Sequence, residues 1–218
     1  MSATSLHHET IQPRPTRGRP RDDSKSKAIL EAASELFLEL GFDGTSMDGV
    51  ARRAGVSKQT VYSHYSSKEQ LFGEAVRGAI ATYYPDKALA SVDSHTLEGD
   101  LKAVCHMLAS LLMDDRAIAM FRLLVAAGAK GSAMGEIFWK SGPADIQVQL
   151  ANFLTTWVDR GELDIQDTEK AGQQLVALVK EPAHFRIAIG IQQPLDEAGI
   201  EECVNDAVAS FLRMYGKA

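Results

Sequence analysis

The chain has 218 residues, 45% of them hydrophobic and 24% charged, the make-up of a globular protein with one large core or two modest ones. No run reaches the roughly 18 uninterrupted apolar residues of a membrane span, and the first residues lack the basic start and apolar stretch of a secretory signal. Two cysteines, Cys105 and Cys203, supply neither a disulfide framework nor zinc-finger spacing, so a reduced, cytoplasmic setting without membrane contact is expected.

The net charge of -6 is unevenly spread. Residues 14–27 hold 6 basic against 2 acidic side chains, and residues 12–77 hold 11 against 9. From residue 78 onward the balance reverses to 12 against 19. A basic N-terminal part can therefore sit on phosphate while the acidic remainder faces away from it.

In chain order, residues 1–23 carry Pro13, Pro15 and Pro20 with few apolar groups, and read as a disordered basic arm. Arg14, Arg17, Arg19 and Arg21 are spaced along it with Gly18 and the prolines keeping it extended. Such an arm either enters an A·T-rich minor groove or acts as a nonspecific tether. Ile29, Ala33, Leu36 and Leu40 then fall at helical spacing, after Asp23 or Ser24 as the cap, and Gly41 ends the run. Thr45 or Ser46 caps a second helix with Met47, Val50, Ala51 and Ala54 as its buried stripe. Gly55 closes it, Val56 follows, and Ser57 caps a short third helix from Lys58 to about His64. Ser66 and Ser67 precede a fourth helix, from Lys68 to about Tyr84, which Pro85 stops.

Beyond Pro85 the periodicity stays helical. Leu97–Leu112, Ala117–Ala129, a segment opened by Pro143 and ended near Gly161, Leu175–Lys180 broken by Pro182, and Ile200–Leu212 each carry an apolar stripe. The expected fold is all-α with about nine helices. A three-helix domain (24–70) precedes a larger helical domain (71–218).

The pair of helices around Ala54-Gly55-Val56-Ser57 carries the helix-turn-helix signature. Ala51 and Ala54 allow a close crossing, Gly55 supplies the positive φ of a tight corner, and Ser57 satisfies free amides at the next helix start. The exposed side of that helix offers Lys58, Gln59, Thr60, Tyr62, Ser63 and His64. These groups can reach phosphates or base edges in a major groove.

The run Thr45-Ser46-Met47-Asp48-Gly49-Val50-Ala51-Arg52-Arg53-Ala54-Gly55-Val56-Ser57-Lys58-Gln59-Thr60-Val61-Tyr62-Ser63-His64-Tyr65, with Ser67-Lys68-Glu69-Gln70-Leu71-Phe72 after it, resembles the tetracycline-repressor (TetR) family. The resemblance reaches back over Ile29–Gly44. It implies a DNA-binding transcriptional regulator rather than an enzyme, by family default a repressor. It further implies that Thr45 and Ser46 contact phosphate, as do Tyr65 or Tyr62, His64 and Lys68, while Lys58, Gln59 and Thr60 face bases. Gln59 departs from the family, many members of which have Gly there, and a glutamine can pair bidentately with adenine. Arg52 and Arg53 are expected to be solvated or paired with acidic neighbours.

The same resemblance implies a homodimer on a palindromic double-stranded operator and a ligand pocket among the middle helices. The dimer surface is placed at about Lys170–Ile191 and Ile200–Tyr215, with burial inside one subunit as the competing reading. Met120, Phe121, Trp139, Phe153 and Trp157 are candidate lining for a small, mostly apolar effector, with Cys105, His106, Gln147 and His184 as polar handles; ordinary core packing is the competing reading for the apolar ones. No cofactor or metal is implied. The alternative is a redox- or metal-responsive regulator using Cys105, Cys203 or the histidines, although His95, His106 and His184 are too scattered to define a site.

Overall fold

The computed structural model describes residues 19–85, 88–129 and 131–217. Among these residues there are eleven α-helices and no strand. They are α1 (Arg19–Gly44), α2 (Met47–Arg53), α3 (Lys58–His64), α4 (Lys68–Tyr83), α5 (Leu97–Met113), α6 (Asp115–Gly128), α7 (Met134–Lys140), α8 (Pro143–Asp159), α9 (Thr168–Lys180), α10 (Ala183–Ala188) and α11 (Glu197–Tyr215). Nine of them are those the periodicity expects; α7 and α10 are additional.

Helix α1 starts earlier than its expected cap, because residues 19–23, read as part of the arm, form its first turn. Pro20 suits a helix start, where its missing N–H would have no partner, and Asp23 adds negative charge near the positive helix end. The remainder of the arm, residues 1–18, lies outside the described residues. At the other end α1 is interrupted at Gly41, whose φ of 72° and ψ of 176° are open to glycine alone. Thr45 ties this break together, its one hydroxyl proton shared between the carbonyls of Gly41 (2.7 Å) and Leu36 (3.0 Å).

Two main cores follow from the apolar stripes. Ile29, Ala33, Phe37, Val50, Val61, Leu71 and Phe72 form the centre of the N-terminal core, to which α7 adds Met134. Phe72 lies edge-on to Phe37 (5.0 Å between ring centroids) and to Phe42 (5.5 Å). The larger core is built by α5, α8, α9 and α11 through Leu101, Val104, Leu150, Leu154, Leu175 and Phe211. The chain end is fastened there, with Asp164 N–H donating to the Tyr215 carbonyl (2.8 Å) and Lys217 N–H to Glu162 (3.1 Å).

Helix α6 lies between the cores. Met120, Leu123, Leu124 and Ala127 pack on the N-terminal core, while Ile118 belongs to a third cluster with Met113, Ala183 and Ile187. Arg122 donates to the carbonyls of Ile187 and Ala188, both at 2.7 Å, and so caps α10 from α6. No helix of the described residues is long and apolar enough to cross a membrane.

Removing a fully buried ring wedged between two others leaves a cavity. Phe72→Ala is therefore expected to cost about 3–5 kcal/mol in urea denaturation; a loss below about 1 kcal/mol would show that the three-ring cluster does not anchor α4.

Candidate nucleic-acid interface

The corner between α2 and α3 is built from the residues its chemistry requires. Ser46 caps α2, accepting from Gly49 N–H at 3.1 Å, and the Ala54 N–H donates to Val50 at 2.8 Å. Gly55 follows at φ 66°, and the Val56 N–H then donates to Ala51 at 3.1 Å. Ser57 caps α3 through Thr60 N–H (3.1 Å) and also bonds the Thr60 hydroxyl (2.8 Å). Val61, fully buried, and Tyr65, 6% exposed, pin α3 to the N-terminal core.

The opposite face of α3 is open. Lys58, Gln59, Tyr62 and Ser63 are exposed, and Thr60 and His64 half-exposed. Positions 58, 59, 62 and 63 are neighbours on a helix, so this is one continuous surface of cationic, amide, phenol and hydroxyl groups. Ser46 and Ser57 are exposed beside it. The Lys58 ammonium bonds the Asp48 carboxylate on α2, at 2.8 Å to Oδ1 and 3.0 Å to Oδ2. That hydrogen bond raises the Lys58 pKa above the ordinary lysine value.

Thr45 and Tyr65 stand apart from this surface. Thr45 is 3% exposed and its hydroxyl is directed at the α1 carbonyls; the Tyr65 hydroxyl lies 2.8 Å from that of Ser26 on α1. Lys68 is half-exposed, donates to the Phe42 carbonyl (2.7 Å) and covers the Phe42 ring (4.4 Å). Arg53 pairs with Glu35 (2.9 Å) and Glu39 (2.8 Å), which hold its charge in place, and Arg52 is exposed. Arg17 lies outside the described residues, and of Arg19 the backbone alone is described, as the first residue of α1.

Residues 29–75 match the family described as "Bacterial regulatory proteins, tetR family". Residues 99–217, more than half of the chain, match the family "AefR-like transcriptional repressor, C-terminal domain". The chain belongs to the TetR family of transcriptional regulators.

Relatives agree. YdeS of Bacillus subtilis (strain 168), an uncharacterized HTH-type transcriptional regulator, is 56% identical over 52 residues, 24% of this chain and 26% of YdeS. FasR of Mycolicibacterium smegmatis, a transcriptional activator, is 45% identical over 53 residues, 24% of either chain. The chain thus spans about a quarter of the length of these curated relatives. Among solved structures, a protein of Mesorhizobium loti MAFF303099 assigned to the TetR family superposes with a TM-score of 0.74 at 27% identity, covering 91% of this chain and 100% of that one. The flavonoid-responsive regulator FrrA gives 0.71 at 28% identity, covering 89% and 98%.

In this TetR-family chain the nine residues read as effector contacts are dispersed. Cys105, Phe153 and Trp157 share the larger core, with Arg160 over the Trp157 ring at 4.5 Å. Met120 faces the N-terminal core. Trp139 is 50% exposed on α7. His106 is exposed on α5, with Nε2 3.0 Å from Glu197 Oε1; it lines an open groove of about 400 Å³ with Lys102, Glu201, Val204 and Asn205. Gln147 keeps Oε1 buried without a partner. Phe121 and His184 are brought together, edge to face at 4.7 Å, and the Lys180 ammonium lies 4.9 Å over Phe121.

The redox or metal reading is not favoured. Burial pushes the Cys105 thiol up to about 12. Burial and the carboxylates of Glu202 and Asp206 raise that of Cys203, so neither is a ready thiolate. Among the described residues no group of three or more His, Cys, Asp or Glu is placed to hold a metal. Sequence reasoning missed Arg122 and Asp48, which become visible only when α6 meets α10 and α2 meets α3.

Buried His184 has no partner for Nδ1, and burial, then Lys180, lowers its pKa to about 4. The unfolded histidine, near 6.5, takes up its proton first. This contribution to stability is whole above about 6.5 and is lost as pH falls toward 4, at no more than about 1.4 kcal/mol per pH unit. His184→Leu should flatten that acid limb of urea-denaturation stability relative to the native chain; an unchanged slope would remove His184 from the acid sensitivity.

Proposed function

We propose that the chain is a ligand-responsive repressor that acts in the cytoplasm as a homodimer on a palindromic operator. The observation that carries the DNA part is the continuous exposed face of α3, held by a capped corner and rooted in the core by Val61 and Tyr65. Lys58, Gln59 and Thr60 read base edges, with Tyr62 beside them. Ser46, Ser57, His64 and Lys68 meet phosphate, and Arg17 and Arg19 add a flanking basic contact. Thr45 and Tyr65 act by positioning, since their hydroxyls are spent on α1.

Dimerisation is supported by large apolar side chains left exposed on the segments expected to pair. Phe185 is 54% exposed, Ile189 53%, Ile191 72% and Met214 49%. Burying them against a second copy would place two α3 helices about 34–36 Å apart, or a longer helical repeat, on one face of the duplex. Ligand response and repression are supported by the relatives, among them a flavonoid-responsive regulator and an AefR-like repressor family. A mostly apolar effector is drawn to Phe121, His184 and the other candidate residues near α6. Because α6 also packs on the N-terminal core, an effector that prefers a different α6 position shifts the helix-turn-helix by its differential affinity.

Selection of bound duplex from a random pool should return an inverted repeat with half-sites one helical turn, or a multiple of it, apart. An asymmetric single site would overturn the dimeric reading. Gln59→Ala should flatten the preference at one adenine position by about 1–3 kcal/mol, and unchanged preference would remove Gln59 from base readout. Replacing Phe185 and Ile191 together by Asp should yield monomer in analytical ultracentrifugation, and a persisting dimer would place the interface elsewhere.

A further inference from the structure

The residue that governs Lys58 lies outside α3. Asp48, in the first turn of α2, reaches across the corner to place both carboxylate oxygens within hydrogen-bond distance of the Lys58 ammonium. Both groups are at the surface, with 60% of the Lys58 side chain and 50% of the Asp48 side chain exposed. The contact is therefore unforced by burial, and water could replace it. Its position gives it consequence, because Lys58 is the first residue of α3 and lies 5.9 Å from the Tyr62 ring on the exposed face. Glu35 and Glu39 occupy Arg53 in a comparable way, but Arg53 is the last residue of α2 and its partners lie on α1 rather than across the corner.

A free ammonium at this place is attracted by any phosphate, which raises affinity for all DNA alike and narrows the margin between operator and bulk sequence. A carboxylate in contact with it cancels that indiscriminate attraction. A site that offers Lys58 well-placed acceptors, such as the O6 and N7 of guanine, still competes for it. We infer that Asp48 is a specificity-determining residue of the interface, holding Lys58 against nonspecific phosphate capture and yielding it to acceptors on a matched site. The inference rests on the proposed recognition face.

The test is a double-mutant cycle on the full chain with Asp48→Asn, Lys58→Met and both together, plus Asp48→Glu. Each is titrated against a duplex of scrambled sequence and against the duplex recovered by selection, over a range of salt. Thermal melts confirm that each variant is folded. Asp48→Asn should raise affinity for the scrambled duplex about two- to fivefold, the scale of an exposed ion pair. It should also steepen the salt dependence by up to about 0.9 in slope, as one more counterion is released. The gain should vanish in the double variant, and Asp48→Glu should behave as the native chain.

A gain that survives Lys58→Met would mean that Asp48 acts by general charge repulsion, and would overturn the inference. So would unchanged scrambled-duplex affinity in a folded Asp48→Asn chain. Failure to recover any preferred duplex would instead sink the recognition reading beneath it, while the scrambled-duplex arm still reports on the Asp48–Lys58 contact.

Discussion

Everything the interface does depends on one backbone constraint, the left-handed residue at Gly55. Helices α2 and α3 have seven residues each, too short to hold their shape alone in water. They persist because the corner sets their crossing, their ends are satisfied by Ser46 and Ser57, and their inner faces are buried through Met47, Val50, Ala51 and Val61. A side chain at Gly55 meets no atom within 4 Å, so its requirement for glycine is conformational rather than steric. With the backbone bent there, the outward direction of Lys58, Gln59 and Tyr62 follows from helical geometry and from the burial of Val61 between them.

A second constraint links that corner to the rest of the chain. Helix α6 has no core of its own: one side completes the N-terminal cluster, another meets α10, and Arg122 bonds two α10 carbonyls. Close-packed interfaces of this kind do not deform smoothly but move between discrete arrangements. The mixed contacts of α6 make it an element whose displacement must be felt on both sides.

The sequence made the helix-turn-helix legible almost to the residue, because caps, corner glycine and stripe are local signals lying within a few positions of one another. Non-local roles were not legible. Thr45 looks like any helix cap, and only the break at Gly41 turns its hydroxyl back onto α1. Helices α7 and α10 are short and lack a side-chain cap, so neither periodicity nor a start signal marks them. Apolar residues at helical spacing, such as Met120, Phe121, Phe153 and Trp157, declare that they are buried without declaring against what. That is why residues expected around one pocket are spread over several clusters.

Charge shows the same division between what a count and a contact can say. A net charge of -6 suits DNA poorly until regions are separated, and regional sums still leave the N-terminal part rich in carboxylates. The structure shows where several of these go. Glu35 and Glu39 hold Arg53, and Asp48 holds Lys58. Three carboxylates thus lie against two cations, so most of their repulsion is offset before it acts on a duplex at the separation set by a Debye length of about 8–10 Å. An acidic protein can then approach phosphate through a face where Lys58 and Asp48 balance one another. Such a face gains less from bulk DNA than a bare basic one would, and on the proposed reading this leaves discrimination to the hydrogen-bonding groups of α3.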